Sequence, residues 1–192
     1  MTIDEMRNKL EKTLSKKRFK HSLGVMYTAV DLAKIYGVDV EKAAVSGLLH
    51  DCAREIKGAE VFKACEKYGI EIDVFTRNQP SLLHGSIGAE IAREEYGIKD
   101  RSVLTAIKYH TTGRADMDML EKIIYIADYI EPGRSFQGVE EARKEAFKDI
   151  DRTMLMALDR TINHIIEKKS YIHVDAIHAR NYILEQMGNV KY

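Results

Sequence analysis

An all-α fold is predicted for this 192-residue chain by three observations. Its prolines are limited to Pro80 and Pro132. Apolar residues recur mostly at three- and four-residue spacing, and helix start and stop signals bracket those runs. Thr2 and Glu5 have the spacing of a capping box and start a first short helix. A second helix runs from about Lys17 to Tyr36 on the stripe Leu23, Met26, Ala29, Val30 and Ala33. A third begins after Asp39, a good N-cap, and is expected to end near Ala53. Further helices fit about 59–68, 82–96, 100–110, 117–131, 139–148, 151–168 and 174–187.

Tyr36-Gly37-Val38, Tyr68-Gly69-Ile70 and Tyr96-Gly97-Ile98 share one signature. Glycine just past a helix end takes the left-handed conformation, and the next apolar residue packs back on the last turn. The intervening sequences do not align, so this is one capping solution used three times rather than an internal repeat. Without a low-complexity stretch or a Pro/Gly/Ser linker, residues 1–192 are expected to form one unit.

Thirty basic and thirty acidic residues cancel, which argues against a protein that coats nucleic acid. A local Arg/Lys cluster could still hold a polyanionic small molecule. The charged start Met1-Thr2-Ile3-Asp4-Glu5 lacks a signal-peptide run, and no apolar stretch is long enough to span a bilayer. Cys52 and Cys65, too few for a disulfide framework, are read as reduced thiols in a cytoplasmic protein.

Candidate chemistry lies in His21, His50-Asp51, His84, His110 and Asp128. His50-Asp51 closes the apolar run Ala43-Ala44-Val45-Ser46-Gly47-Leu48-Leu49, so an imidazole and a carboxylate emerge together from buried structure. With two oxygens, Asp51 could bridge two metal ions held from the sides by histidines. Asp128 sits in the apolar stretch Ile123-Ile124-Tyr125-Ile126-Ala127-Asp128-Tyr129-Ile130, where a carboxylate needs a cationic partner or a metal. His164, His173 and His178 have no comparable neighbours and are left as structural or surface residues.

The ordered set, with Arg18-Phe19-Lys20-His21-Ser22-Leu23-Gly24-Val25, His110-Thr111-Thr112-Gly113-Arg114 and Ala127-Asp128-Tyr129-Ile130-Glu131-Pro132-Gly133-Arg134, resembles the HD-domain superfamily of metal-dependent phosphohydrolases. It looks most like the bacterial symmetrical diadenosine tetraphosphate hydrolases of the HD type, also described as HD hydrolases involved in NAD metabolism. The resemblance covers about residues 10–185. It implies a single HD-domain helical bundle, with a metal-site core over about 18–135 and C-terminal helices over about 139–187. It also implies a dinuclear centre in which His21, His50, Asp51 and Asp128 bind one ion. Asp51 as the bridge then joins His84 and His110 around the second. Iron is the expected metal, and the thiolate-free donor set also fits manganese or cobalt.

The chemistry so implied is hydrolysis of diadenosine tetraphosphate to two ADP, with Asp51 and His50 as the catalytic pair. Arg18, Lys20, Arg54, Arg114 and Arg134 are the basic residues nearest the motifs and are expected to bind phosphate. Thr111, Thr112 and Gly113 would add hydroxyl and backbone contacts. The expected partner is a nucleotide, without nucleic acid or membrane, and a homodimer is compatible with the resemblance. Alternatives remain among HD enzymes acting on mononucleotides or guanosine alarmones, and in a nucleotide or metal sensor without turnover. Against the alarmone reading, Arg54 stands where those hydrolases carry the first of two acids after His-Asp.

Overall fold

The computed structural model describes residues 1–188, and among them eleven α-helices and one 3-10 turn are joined by short loops, with no strand. The helices are α1 (Ile3–Thr13), α2 (Lys16–Tyr36), α3 (Val40–Leu49), α4 (Ala59–Tyr68), α5 (Val74–Asn78) and α6 (His84–Glu95). After them come α7 (Arg101–Tyr109), α8 (Met119–Ile130), α9 (Val139–Ala146), α10 (Ile150–Glu167) and α11 (Val174–Gln186). The expected caps are in place. Thr2 and Glu5 close a full capping box on α1, and Asp39 accepts from the Glu41 and Lys42 amides at the start of α3. Gly37 and Gly69 end α2 and α4 at φ +67° and +64°. The amides that follow them, Val38 and Ile70, reach back to Ala33 and Cys65, the Schellman pattern.

Two boundaries differ from expectation. The short helix α5 and the 3-10 turn Pro80–Leu83 fill the gap between the helices expected over 59–68 and 82–96 and take the first turn of the latter; five residues are too few to show a period, and the Asp73/Thr76 box is what holds α5. Helix α3 stops at Leu49 rather than near Ala53, because the ring Nδ1 of His50 takes the Gly47 carbonyl at 2.7 Å. A continuing α-helix would have given that carbonyl to the Asp51 amide. The chain goes on in tighter turns, Cys52 N–H to Leu49, Arg54 N–H to Asp51 and Ile56 N–H to Ala53, which swing Asp51 off the helix axis.

The core lies where α2, α3, α7 and α8 pack on one another, with α6 against α7. Val25, Ala29, Leu32, Leu48, Leu49, Ile107, Ile123 and Ile126 are fully buried there. Each of the Val, Leu and Ile side chains among them contributes about 1.5–3 kcal/mol by leaving water. Close approach depends on two small residues. A Cβ on Gly47 would lie 2.9 Å from the Met26 Cα, and one on Gly85 would lie 2.4 Å from the Lys108 carbonyl oxygen. Helix α10 contributes a core stripe: Met154, Ala157, Leu158 and Ile162 are buried, and the helix packs on α8, α9 and α11. No helix among the described residues is long and apolar enough to cross a membrane.

Candidate metal centre

Five helix ends or faces deliver the six residues to one point: α2 carries His21, the end of α3 carries His50 and Asp51, α6 starts with His84, α7 is capped by His110, and α8 carries Asp128. They form overlapping groups, His21/His50/Asp51, His50/His110/Asp128 and Asp51/His84/His110, each with donor atoms within 4.8 Å of one another. Asp51 stands between two histidine pairs. Its Oδ2 lies 3.3 Å from His50 Nε2 and 3.5 Å from His21 Nε2. Its Oδ1 lies 3.1 Å from His84 Nε2 and 3.8 Å from His110 Nε2. Asp128 Oδ1 closes the first side at 3.0 Å from His21 Nε2.

The ring orientations show what belongs at the centre. Three histidines turn Nδ1 to the carbonyl three residues back: His50 to Gly47 and His110 to Ile107, both at 2.7 Å, and His84 to Ser81. His21 turns its Nδ1 to the Glu131 carboxylate at 3.1 Å. Carbonyls and carboxylates only accept, so each Nδ1 carries a hydrogen, and a ring acting as a ligand then points an Nε2 lone pair inward. Yet His21 and His50 bring those nitrogens to 3.2 Å, and His84 and His110 to 3.1 Å. Two lone pairs facing each other need a cation between them. The donor set fits a divalent metal centre: imidazole and carboxylate inside, with hydrogen-bond acceptors behind every ring.

Electrostatics agree. Burial by itself would raise the Asp51 carboxyl, but the imidazoles of His50, His110 and His84 gathered around it hold it well below the usual carboxylate range. Asp128 is likewise held low against its burial by His21, His50 and Arg134. Burial pushes His84 down from its ordinary value, which keeps the imidazole neutral at pH 7 and its lone pair available.

The HD domain family model matches residues 18–133, which span all six positions. The chain belongs to the HD family. A protein of Halalkalibacterium halodurans named symmetrical bis(5'-nucleosyl)-tetraphosphatase is 41% identical over 89% of this chain and 91% of its own length. A Staphylococcus aureus protein of the same name is 38% identical over 95% of this chain and 94% of its own. Among solved structures, a Clostridium acetobutylicum protein described as a predicted HD superfamily hydrolase involved in NAD metabolism superposes with a TM-score of 0.94. It is 47% identical, and the match covers 97% of this chain and 98% of that one.

Around the HD centre the remaining site residues separate by place. A cavity of about 510 Å³ opens beside His21, lined by Lys17, Arg18, Lys20, Glu131, Arg134 and Phe136 among others. Arg18 reaches Asp51 Oδ2 at 2.7 Å, and Arg134 bonds the Asp128 carboxylate. Thr111 and Thr112 line a second cavity of about 490 Å³, with Leu83, Ser86, Tyr109 and His173. Arg54 stands half-buried in the turn after Asp51 and lines neither space. His173, read as structural, accepts the Asp175 amide at the start of α11.

Two of the expected substrate contacts are engaged elsewhere. Arg114 donates through Nε and Nη2 to the fully buried Glu121 at 2.7 and 2.6 Å, and through Nη1 to the Ala115 carbonyl. Gly113 is packed under α11, where a Cβ would stand 3.1 Å from the Ala179 Cβ. Arg114→Ala should therefore act on stability. With Glu121 left to the Asp118 amide alone, a loss of about 2–3 kcal/mol is expected in urea unfolding, the partial exposure of Arg114 lowering it from the fully buried case.

Cys52, next to Asp51, takes no part in the donor groups found among the described residues. Its thiol donates to the Gly88 carbonyl at 3.4 Å, and burial, reinforced by the Asp51 charge, pushes its pKa far up. The folded protein is expected to resist a disulfide-exchange reagent at pH 8 and to release both thiols on unfolding. Rapid reaction of Cys52 in the folded state would contradict this placement.

Proposed function

We propose that this chain hydrolyses diadenosine tetraphosphate symmetrically, giving two ADP, on a dinuclear centre in which Asp51 is the bridge. The observation that carries the reading is the division of the Asp51 oxygens between two histidine pairs, Oδ2 toward His21/His50 and Oδ1 toward His84/His110. The substrate comes from the two relatives named as symmetrical tetraphosphatases, each matched over most of its length. Iron is the proposed metal, with manganese and cobalt suited to the same donors. When bound, such ions neutralise phosphate oxygens and activate water for attack on phosphorus.

The chain's own residues do the rest. His21, His50, Asp51 and Asp128 hold one position, and Asp51, His84 and His110 hold the other. Arg18 and Arg134, each bonded to one of these carboxylates, have further guanidinium donors free to face the cavity beside His21. With Lys20 they supply the positive charge that a four-phosphate chain requires. The second cavity, at Thr111 and Thr112, gives room for a nucleoside on the other side, as a substrate with two identical ends demands. Gly113 and Arg114 contribute through the packing and the ion pair that hold the loop after α7. Separated free thiols suit a reducing cytoplasm.

The test is product analysis with metal-loaded protein and diadenosine tetraphosphate. ADP as sole product is expected. AMP with ATP would overturn the symmetrical cleavage, and tight binding without turnover would favour the sensor reading. Release of pyrophosphate from a guanosine alarmone, with the dinucleotide untouched, would favour that branch of the family.

A further inference from the structure

One ligand of the centre is held differently from the other three. His50, His84 and His110 each lean on a carbonyl three residues back, so their orientation follows from their own helix ends. His21 sits inside α2 and leans on Glu131, 110 residues away and just beyond the end of α8. Glu131 is 5% exposed. Its Oε1 accepts from His21 Nδ1 and its Oε2 accepts from the Gly133 amide at 2.5 Å.

The surroundings are shaped to admit that carboxylate. A Cβ on Gly24, one turn along α2 from His21, would lie 2.7 Å from Glu131 Oε2; a Cβ on Gly133 would lie 2.9 Å from both oxygens. Arg143 of α9 holds the loop from behind. Its Nε donates to the Ile130 carbonyl at 2.9 Å, and its Nη2 donates to the Glu131 and Arg134 carbonyls at 2.9 and 2.8 Å. A guanidinium that bonds three carbonyls of one turn fixes that turn rather than any ligand.

We propose that Glu131 is the positioning residue of His21, a carboxylate that fixes the ring and strengthens its Nε2 as a donor to one of the two metal positions only. The inference rests on the metal reading above. A carboxylate behind a ligating imidazole draws the Nδ1 hydrogen toward itself and leaves Nε2 more electron-rich than a carbonyl does. The side of the centre holding His21 thus has a carboxylate behind one of its imidazoles, where the side holding His84 and His110 has carbonyls alone.

The test measures metal binding by chelator competition in the full chain. Wild-type protein should bind two equivalents of Mn²⁺. Glu131→Ala should weaken one equivalent by about 10- to 100-fold and leave the other in place. Gly24→Ala, which keeps the carboxylate but crowds it, should weaken the same equivalent by less. In wild-type protein loaded with diamagnetic Zn²⁺, the His21 Nδ1 proton should resonate downfield of those of His50, His84 and His110. That readout needs no variant. Two equivalents in wild type with unchanged affinities in Glu131→Ala, equal weakening of both equivalents, or a His21 proton among the others would each overturn the proposal alone. Failure of wild type to bind any metal would overturn the metal reading and this inference with it.

Discussion

Asp51→Ala is expected to abolish hydrolysis, with a fall on the order of 10⁴-fold, the scale seen when a group that acts as part of a unit is removed. Both halves of the centre should be lost together. Oδ1 and Oδ2 face different histidine pairs, so the side chain has no redundant oxygen, and its removal leaves each pair as two facing lone pairs. The measurement is ADP release alongside elemental analysis of metal per chain. His110→Ala, by contrast, takes a donor from one side and should spare one equivalent. An Asp51→Ala protein that kept two equivalents or full activity would remove the bridge from the mechanism.

Gly85→Ala is expected to cause the largest loss of stability. The added Cβ meets the Lys108 carbonyl oxygen at 2.4 Å and its carbon at 3.3 Å, both backbone atoms of α7 that cannot rotate away. Helix α6 must shift, at a cost of about 3 kcal/mol or more, read as a lower urea midpoint with an unchanged slope. His84 is the neighbouring residue and faces His110 across the same α6–α7 contact, so metal binding on that side should weaken as well. Gly88→Ala, one turn on, is the control. Its Cβ would meet Cys52 Sγ and an Ile107 methyl at 3.5 Å, ordinary contact distances, and it should fold with little change. Equal stability for the two variants would show that the close α6–α7 crossing does not constrain the fold.

What was legible in the sequence was local. Asp39, Thr2, Gly37 and Gly69 carry their cap chemistry in their own side chains or in the lack of one, so the helices could be bracketed from them. His50-Asp51 and Asp128 stood out because an imidazole or carboxylate at or inside an apolar run conflicts with its surroundings, and His21, His84 and His110 joined them through the order that resembles the HD domain. The rest depended on contacts with no local trace. Nothing near Arg18 says that it meets Asp51, and nothing near Arg114 distinguishes a phosphate-facing guanidinium from one bound to Glu121. Glu131 stands in the motif from Ala127 to Arg134 but carries no role in the sequence reading. A glutamate directly after the apolar run of α8, followed by a turn of small residues, was the available signal that it is buried. The end of α3 was misplaced for the opposite reason: a side chain, His50, displaced a backbone bond that periodicity takes for granted.

The delivery of the donors by five separate helices has a mechanical consequence. Each occupied position ties together segments remote in the chain, since His21 and His50 are 29 residues apart and His84 and His110 are 26 apart. A bound ion is then a cross-link as well as a reagent, closing loops that the unfolded chain would have to reopen, and its binding free energy adds to that of folding. The melting temperature should climb with metal concentration. A chelator should first loosen the crossing of α2, α3, α6, α7 and α8 and leave the α10–α11 pair standing, so the chain would report its metal supply through its own rigidity.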